Sequence, residues 1–161
     1  MAQFEIITFI NNTPEIVFDL SRSIDLHLLS LAKTNEQAVA GVRTGLIGMN
    51  ETVTWRARHL FKTRLFTSVI TDFHFPFTFT DEMVRGDLKN FSHQHIFAKQ
   101  DGGTLMTDKI KLEAPFGLLG RLVMALFLKN YFRKFLVERS IVIKRYAESG
   151  DAASILKNIK Q

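Results

Sequence analysis

Hydrophobic and polar residues alternate with a period of two through much of the chain between Glu36 and Glu113. Residues 52–58, 77–83 and 91–97 are the clearest cases, and they are rich in Thr, Val, Ile and Phe. This pattern predicts antiparallel strands with one buried face. We expect about six strands in this region and one more strand in residues 1–10.

Helical patterns lie on either side of the strand region. Thr13 and Pro14 suit the start of a short helix that runs to about Leu20, and a second short helix is expected from Ser23 to Ala32. Pro115 and Gly117 open a long helical stretch that continues to about Tyr146. The sequence therefore predicts an α+β chain.

The long helix has one predominantly apolar face when its residues are placed 100° apart. Arg121 and Arg139 fall within that face, so each should reach solvent or meet a carboxylate. The apolar face consists of Met124, Leu128, Tyr131, Phe132, Phe135, Val142, Ile143 and Tyr146. The opposite face of the C-terminal half carries Lys129, Asn130, Arg133, Lys134, Ser140, Lys144 and Arg145.

The first half of this helix is apolar on its outer side as well. We expect the two short helices or a loop to cover it; a dimer partner, a ligand or a membrane surface are the alternatives. The residues concerned are Leu119, Leu122, Val123, Leu126 and Phe127.

Length and composition narrow the picture. The 161 residues suit one domain, which we place at residues 1–148, followed by a C-terminal tail at 149–161 that is expected to fray. Without Cys, thiol chemistry and disulfides are excluded. A net charge of +5 with no accompanying motif predicts no nucleic-acid partner. With no signal-peptide pattern and no long apolar run, we expect a soluble, cytoplasmic protein.

Two histidines and two aspartates form the main candidate for chemistry. His93 and His95 share one face of a strand, while Asp81 and Asp108 share the faces of large apolar residues on other strands. If these faces point inward, the four side chains could meet in or near a cavity. They could act as a general acid/base, orient a ligand, or lock the strands together, and the structural role is favoured.

A metal or cofactor is not expected from this pattern. Two histidines and an aspartate could bind zinc, but His-x-His on a strand is common without metal. Trp55 is similarly open to two interpretations, as a core residue or as a pocket wall against a planar ligand.

Several segments together resemble the SRPBCC superfamily, which is also called START-like or birch-pollen-allergen-like. The resemblance runs from residue 3 to residue 146 and is closest to bacterial ligand-binding and polyketide-cyclase-like members. It rests on Thr13-Pro14-Glu15, Gly48-x-x-Glu51-Thr52-Val53-Thr54-Trp55, Asp81-x-Met83-x-x-Gly86, His93-x-His95-x-Phe97, Thr104-x-Met106-x-Asp108 and Ala114-Pro115-Phe116-Gly117.

The resemblance implies a helix-grip fold, in which a curved antiparallel sheet of about seven strands wraps a long C-terminal helix over a cavity. The candidate ligand-binding residues are Trp55, His59, Phe79, Asp81, Met83, His93, His95, Met106, Asp108, Met124, Leu128 and Arg139.

Three functions follow, in order of preference. The first is binding of a hydrophobic small molecule as a carrier or sensor. The second is an enzyme that cyclises, dehydrates or hydrolyses an aromatic or polyketide-like substrate, with His93 or His95 as acid/base. The third is lipid transfer or membrane contact. The chain is expected to be a monomer or a homodimer.

Overall fold

A computed structural model describes residues 1–30, 35–59 and 62–157; the side chains of His59 and Lys157 are not described. Seven strands form one curved antiparallel sheet in the order β1-β7-β6-β5-β4-β3-β2. They are β1 (Ala2–Ile10), β2 (Gln37–Gly41), β3 (Thr52–His59), β4 (Lys62–His74), β5 (Thr78–Arg85), β6 (Asn90–Gln100) and β7 (Gly103–Glu113).

The helices lie where the sequence predicts them, and the architecture is that of a helix grip. After β1 come α1 (Pro14–Ser21) and α2 (Ile24–Ser30); the predicted end of α2 at Ala32 lies outside the described residues. After β7 come α3 (Gly117–Val123), a π-helical turn (Met124–Leu128) and α4 (Lys129–Glu148), followed by α5 (Ala152–Lys157). Pro14 occupies the first turn of α1, where its missing N–H costs nothing.

The core lies between the concave face of the sheet and the helices. Phe18 of α1 is fully buried at its centre and packs edge-on against Phe79, with ring centroids 5.2 Å apart. A second cluster joins β1, β6 and β7 to the helical stretch through Phe91, Leu112 and Met124. These two clusters hold the sheet and helices around the space where a ligand could sit.

The π turn changes which side of α4 is buried. Ser140, predicted on the polar face, is buried instead, together with Leu136, Ile143 and Ala147. A π turn carries about one extra residue per turn, so positions after it fall roughly one residue later than a period of 3.6 predicts. The prediction for Ser140 was wrong because it assumed an uninterrupted α-helix.

The C-terminal segment also differs from the expected frayed tail. Residues 152–157 form α5, Ala152 is buried, and Ile155 and Leu156 pack against the first core cluster. A six-residue helix is too short for its period to stand out in the sequence, and its burial depends on tertiary contacts with α1 and α4.

Candidate functional site

A cavity of about 480 Å³ lies between the sheet and the helical stretch that begins at α3. Most of its wall is apolar. The large apolar side chains include Ile24, Ile47, Val53, Trp55, Phe66, Ile70, Phe79, Phe91, Leu128, Phe132, Phe135 and Leu136. This volume is within the range of small-molecule sites.

Strand pairing places the four predicted polar residues together at one side of this cavity. Asp81 on β5 lies opposite His93 on β6, and His95 on β6 lies opposite Asp108 on β7. The three strands pair without a bulge at these positions, so the inward parity of each strand is preserved. We call Asp81, His93, His95 and Asp108 the His–Asp cluster.

Each histidine of the cluster lies between the two carboxylates. His93 Nε2 is 3.0 Å and His95 Nδ1 is 2.7 Å from Asp108 Oδ1. On the other side, His93 Nδ1 is 3.8 Å and His95 Nε2 is 3.3 Å from Asp81 Oδ2. The short His95–Asp108 contact is not aligned as a hydrogen bond.

The two carboxylates differ in access to the cavity. The side chain of Asp108 is 4% exposed, and it sits behind the histidines with Ser140 Oγ 3.4 Å from its Oδ2. The side chain of Asp81 is 20% exposed and belongs to the cavity wall. A molecule in the cavity would therefore meet Asp81 and the histidines and would not touch Asp108.

Burial and the charges within the cluster shift the pKa of all four side chains. Burial would raise the pKa of Asp81 and of Asp108, but hydrogen bonds and charges from the histidines outweigh it and lower the pKa of both carboxyls. Burial and the charge of His95 lower the pKa of His93. For His95, the nearby Asp108 and Asp81 overcome burial and raise the pKa. The two histidines are therefore shifted in opposite directions, since the pKa of His95 is raised and that of His93 is lowered.

Arg139 on α4 brings a second positive charge to this side of the cavity. It is 9% exposed, lines the cavity, and donates a hydrogen bond from Nη2 to the backbone oxygen of Ser21. Its Nε is buried without an acceptor among the described residues. Burial lowers the pKa of Arg139, while the charges of Asp108, Asp81 and Glu36 oppose that effect. The sequence predicted that Arg139 would reach solvent or pair with a carboxylate. That prediction was wrong, because Arg139 is buried and donates to a backbone carbonyl.

The remaining predicted ligand-binding residues divide into two groups. Trp55, Phe79 and Leu128 line the cavity, as do Asp81, His93, His95 and Arg139. Met83, Met106, Asp108 and Met124 lie outside the lining; Met106 is fully buried beside Ser21, and Met124 belongs to the second core cluster. Met106, Asp108 and Met124 are buried, and Met83 is partly buried against the second core cluster. The side chain of His59 lies outside the described residues.

One polar feature of the cavity was missed. His27 of α2 stacks on Trp55 with ring centroids 4.0 Å apart, and its Nε2 lies 3.5 Å from Glu36 Oε2. All three residues line the cavity. His27 is the single histidine of a short, mainly apolar helix, and no spacing in the sequence connects it to Glu36. The pattern of hydrophobic and polar residues therefore could not have predicted the pair.

The cavity opens beside a group of exposed apolar side chains on α3 and the π turn. Phe116, Leu118 and Leu126 are 83%, 80% and 72% exposed. We call Phe116, Leu118, Leu119, Leu122, Val123, Leu126 and Phe127 the mouth patch. Phe116, Leu119 and Val123 also line the cavity, so the patch is continuous with it. The expected cover from α1, α2 or a loop was wrong, because no described residue buries these side chains. Arg121, in the same segment, reaches solvent.

Three side chains of the cluster could also hold a metal ion. Asp81, His93 and His95 each offer one ligand atom, and these atoms lie within 4.8 Å of one another.

Solved structures share this architecture at low sequence identity. The protein TTHA0849 from Thermus thermophilus has a TM-score of 0.67 at 16% identity, over 88% of this chain and 97% of that one. Ara h 8.0201 has a TM-score of 0.65 at 13% identity, again over 88% and 97%. The chain has the SRPBCC fold.

A further structural neighbour is longer. The di-domain ARO/CYC StfQ from the steffimycin biosynthetic pathway has a TM-score of 0.72 at 11% identity, over 92% of this chain and 52% of that one. No family model and no curated protein matches the sequence. These identities support the shared SRPBCC fold and no particular activity. Within the described residues, no helix is both long enough and apolar enough to cross a bilayer.

Proposed function

We propose that this protein binds a hydrophobic small molecule in the cavity between the sheet and α4. The supporting observation is the cavity of about 480 Å³, whose wall is mainly apolar but carries the His–Asp cluster and Arg139 at one side. An apolar wall supplies affinity through burial, and a few convergent polar groups orient the ligand. A carrier or sensor needs this combination and no further machinery.

Ligand capture is tested by native mass spectrometry of freshly purified protein, followed by identification of what is released on denaturation. Wild-type protein should carry a hydrophobic molecule or bind one from a panel. Ala57→Phe should abolish binding, because Ala57 is buried in the cavity wall and a phenyl ring would fill part of the space.

Ala98→Phe is the matched control, since Ala98 is exposed on β6. Equal ligand occupancy in wild type and Ala57→Phe would contradict binding in this cavity. Loss of binding in both phenylalanine variants would indicate a general effect on the fold and would also count against the proposal.

A second candidate is an enzyme that acts on an aromatic or polyketide-like substrate by cyclisation, dehydration or hydrolysis. It is favoured by one observation: His93, which is hydrogen-bonded to Asp108 and whose pKa is lowered by burial, lines the cavity together with Asp81 and Arg139. His93 Nδ1 could accept a proton, and Arg139 could stabilise the oxyanion that develops. A supplied substrate that wild type, but not His93→Gln, converts to a product with a different chromatographic retention or mass would favour this enzyme over a carrier.

The third candidate, membrane contact, is favoured by the mouth patch. Exposed apolar residues next to Arg121 and Lys129 match a bilayer that carries anionic lipids. Because the patch continues into the cavity, a ligand could pass between membrane and cavity without crossing water. Vesicle co-sedimentation tests this candidate.

A further inference from the structure

Each histidine of the His–Asp cluster has one nitrogen next to Asp108 and a second nitrogen that faces Asp81. Asp108 engages one nitrogen of each imidazole, His93 Nε2 and His95 Nδ1. The other two nitrogens, His93 Nδ1 and His95 Nε2, both face Asp81 Oδ2. Two imidazole nitrogens and a carboxylate oxygen from two adjacent strands thus converge on one point at the cavity wall.

We propose that Asp81, His93 and His95 bind a divalent transition-metal ion such as zinc. Bonds of about 2.0–2.2 Å in a tetrahedral site place neighbouring ligand atoms about 3.4 Å apart. The distances from Asp81 Oδ2 to the two nitrogens, 3.8 and 3.3 Å, are close to that value. Small side-chain rotations would therefore complete the site. Imidazole and carboxylate together suit zinc or iron(II) better than magnesium or calcium.

Asp108 supplies the support that histidine ligands need. A histidine that binds metal through one nitrogen usually donates its other N–H to a carboxylate or carbonyl, which fixes the tautomer and the ring orientation. Asp108 Oδ1 is hydrogen-bonded to His93 Nε2 at 3.0 Å. It also lies 2.7 Å from His95 Nδ1, where a rotation of the ring would align the N–H with it. Asp108 is buried, and Ser140 Oγ lies 3.4 Å from its second oxygen. Asp108 is therefore a positioning residue and not a ligand.

The charges on this side of the cavity are compatible with a cation. Asp81 and Asp108 are negative, and Arg139 donates to the Ser21 carbonyl and not to either of these carboxylates. The charges of Asp81, Asp108 and Glu36 all act on Arg139, and together they offset Arg139 and a divalent ion. An oxygen atom from a molecule in the cavity would fill the open coordination position. This last point rests on the proposed ligand-binding function, whereas metal binding itself does not.

The test is metal uptake by untagged protein that has been stripped with a chelator and desalted. Zinc titration by calorimetry and cobalt(II) titration by visible absorption should both give one ion per chain. Asp81→Asn and His95→Gln should weaken affinity by more than about 100-fold, and Asp108→Asn by about 10–100-fold. His74→Gln is the matched control, because His74 Nε2 lies 3.1 Å from Asp72 Oδ1 in an exposed pair outside the site.

Two outcomes would overturn the proposal. One is wild-type protein that takes up no zinc or cobalt; the other is Asp81→Asn and His95→Gln variants that bind as tightly as wild type. Asp81 lies at the cavity surface, so its asparagine variant tests the ligand role with little risk to folding, and circular dichroism checks the buried His95 variant. All titrations omit the organic ligand. A protein that binds no metal could still bind a hydrophobic molecule in the cavity. A protein that binds no hydrophobic molecule could still bind zinc.

Discussion

The two ends of the cavity are built from opposite kinds of side chain and are fixed to different degrees. We call the side with the His–Asp cluster and Arg139 the closed end. His93, His95 and Asp108 are buried there, and the pairing of β5, β6 and β7 sets the positions of the cluster. At the open end, the mouth patch is exposed and belongs to a helical stretch without such a ladder. Buried polar groups tolerate little displacement because each needs its partner, whereas exposed apolar groups cost little until something covers them. The closed end should thus determine stability and ligand orientation, and the mouth should determine access.

The largest effect is expected from Asp108→Ala at the closed end. Removing this buried carboxylate leaves two buried imidazoles without their shared partner, so the free energy of unfolding should fall by about 3–5 kcal/mol. Urea denaturation followed by circular dichroism measures it. Asp72→Ala removes a carboxylate from an exposed His–Asp pair and should cost no more than about 1 kcal/mol. Similar losses in both variants would remove the contrast between the cluster and an ordinary surface pair.

A double substitution, Leu126→Asp with Phe127→Asp, targets the mouth. If the patch contacts bilayers, sedimentation with anionic vesicles at low salt should fall at least about 10-fold, since burying each large apolar side chain contributes about 1.5–3 kcal/mol. Ile7→Asp is the control, because Ile7 is exposed on β1, away from the cavity lining. Wild-type protein that fails to sediment would exclude membrane contact, and so would a control that loses binding equally.

Ser140→Ala probes the support behind the cluster and should have a smaller effect. Its hydroxyl lies 3.0 Å from the Leu136 carbonyl oxygen and 3.4 Å from Asp108. Losing a hydrogen bond of this kind should cost about 0.5–1.5 kcal/mol in unfolding free energy. Ser154→Ala, at an exposed position of α5, should change the urea midpoint less. A midpoint for Ser140→Ala equal to that of wild type would mean that Asp108 is held without it.

The smallest effect is expected from Leu122→Ser in the mouth patch. Leu122 is exposed, so its replacement should change the unfolding free energy by no more than about 0.5 kcal/mol. A loss of about 2 kcal/mol or more (roughly the value of a buried leucine) would mean that the patch is covered in solution. Size-exclusion chromatography with light scattering would then identify a second copy of the chain as the cover.

The sequence predicted the closed end better than the mouth, and the reason is geometric. Side chains on a regular strand alternate strictly, so the shared parity of His93 and His95 and that of Asp81 were enough to bring them together once β5, β6 and β7 paired in register. Strand β4 has bulges near Thr67 and Ile70, where parity alone would fail.

Contacts that depend on packing between distant segments were harder to predict from the sequence. Burial of Ala152 in α5 and the approach of His27 to Glu36 arise from tertiary structure and have no periodic signature. The exposure of the mouth patch was likewise outside the reach of a pattern, because an apolar helix face predicts burial whether or not a partner exists in the same chain.

The π turn at Met124–Leu128 sets the register between α3 and α4. Five residues of a π turn cover about the same rotation as four residues of an α-helix, so deleting one residue here would restore a continuous α-helix. Arg139 would then still face Ser21, and Ser140 would still face Asp108. Deleting one residue in the first turn of α4 would instead rotate the rest of that helix by about 100° and move both side chains away from these partners. Single deletions should therefore be tolerated in the π turn and harmful just after it.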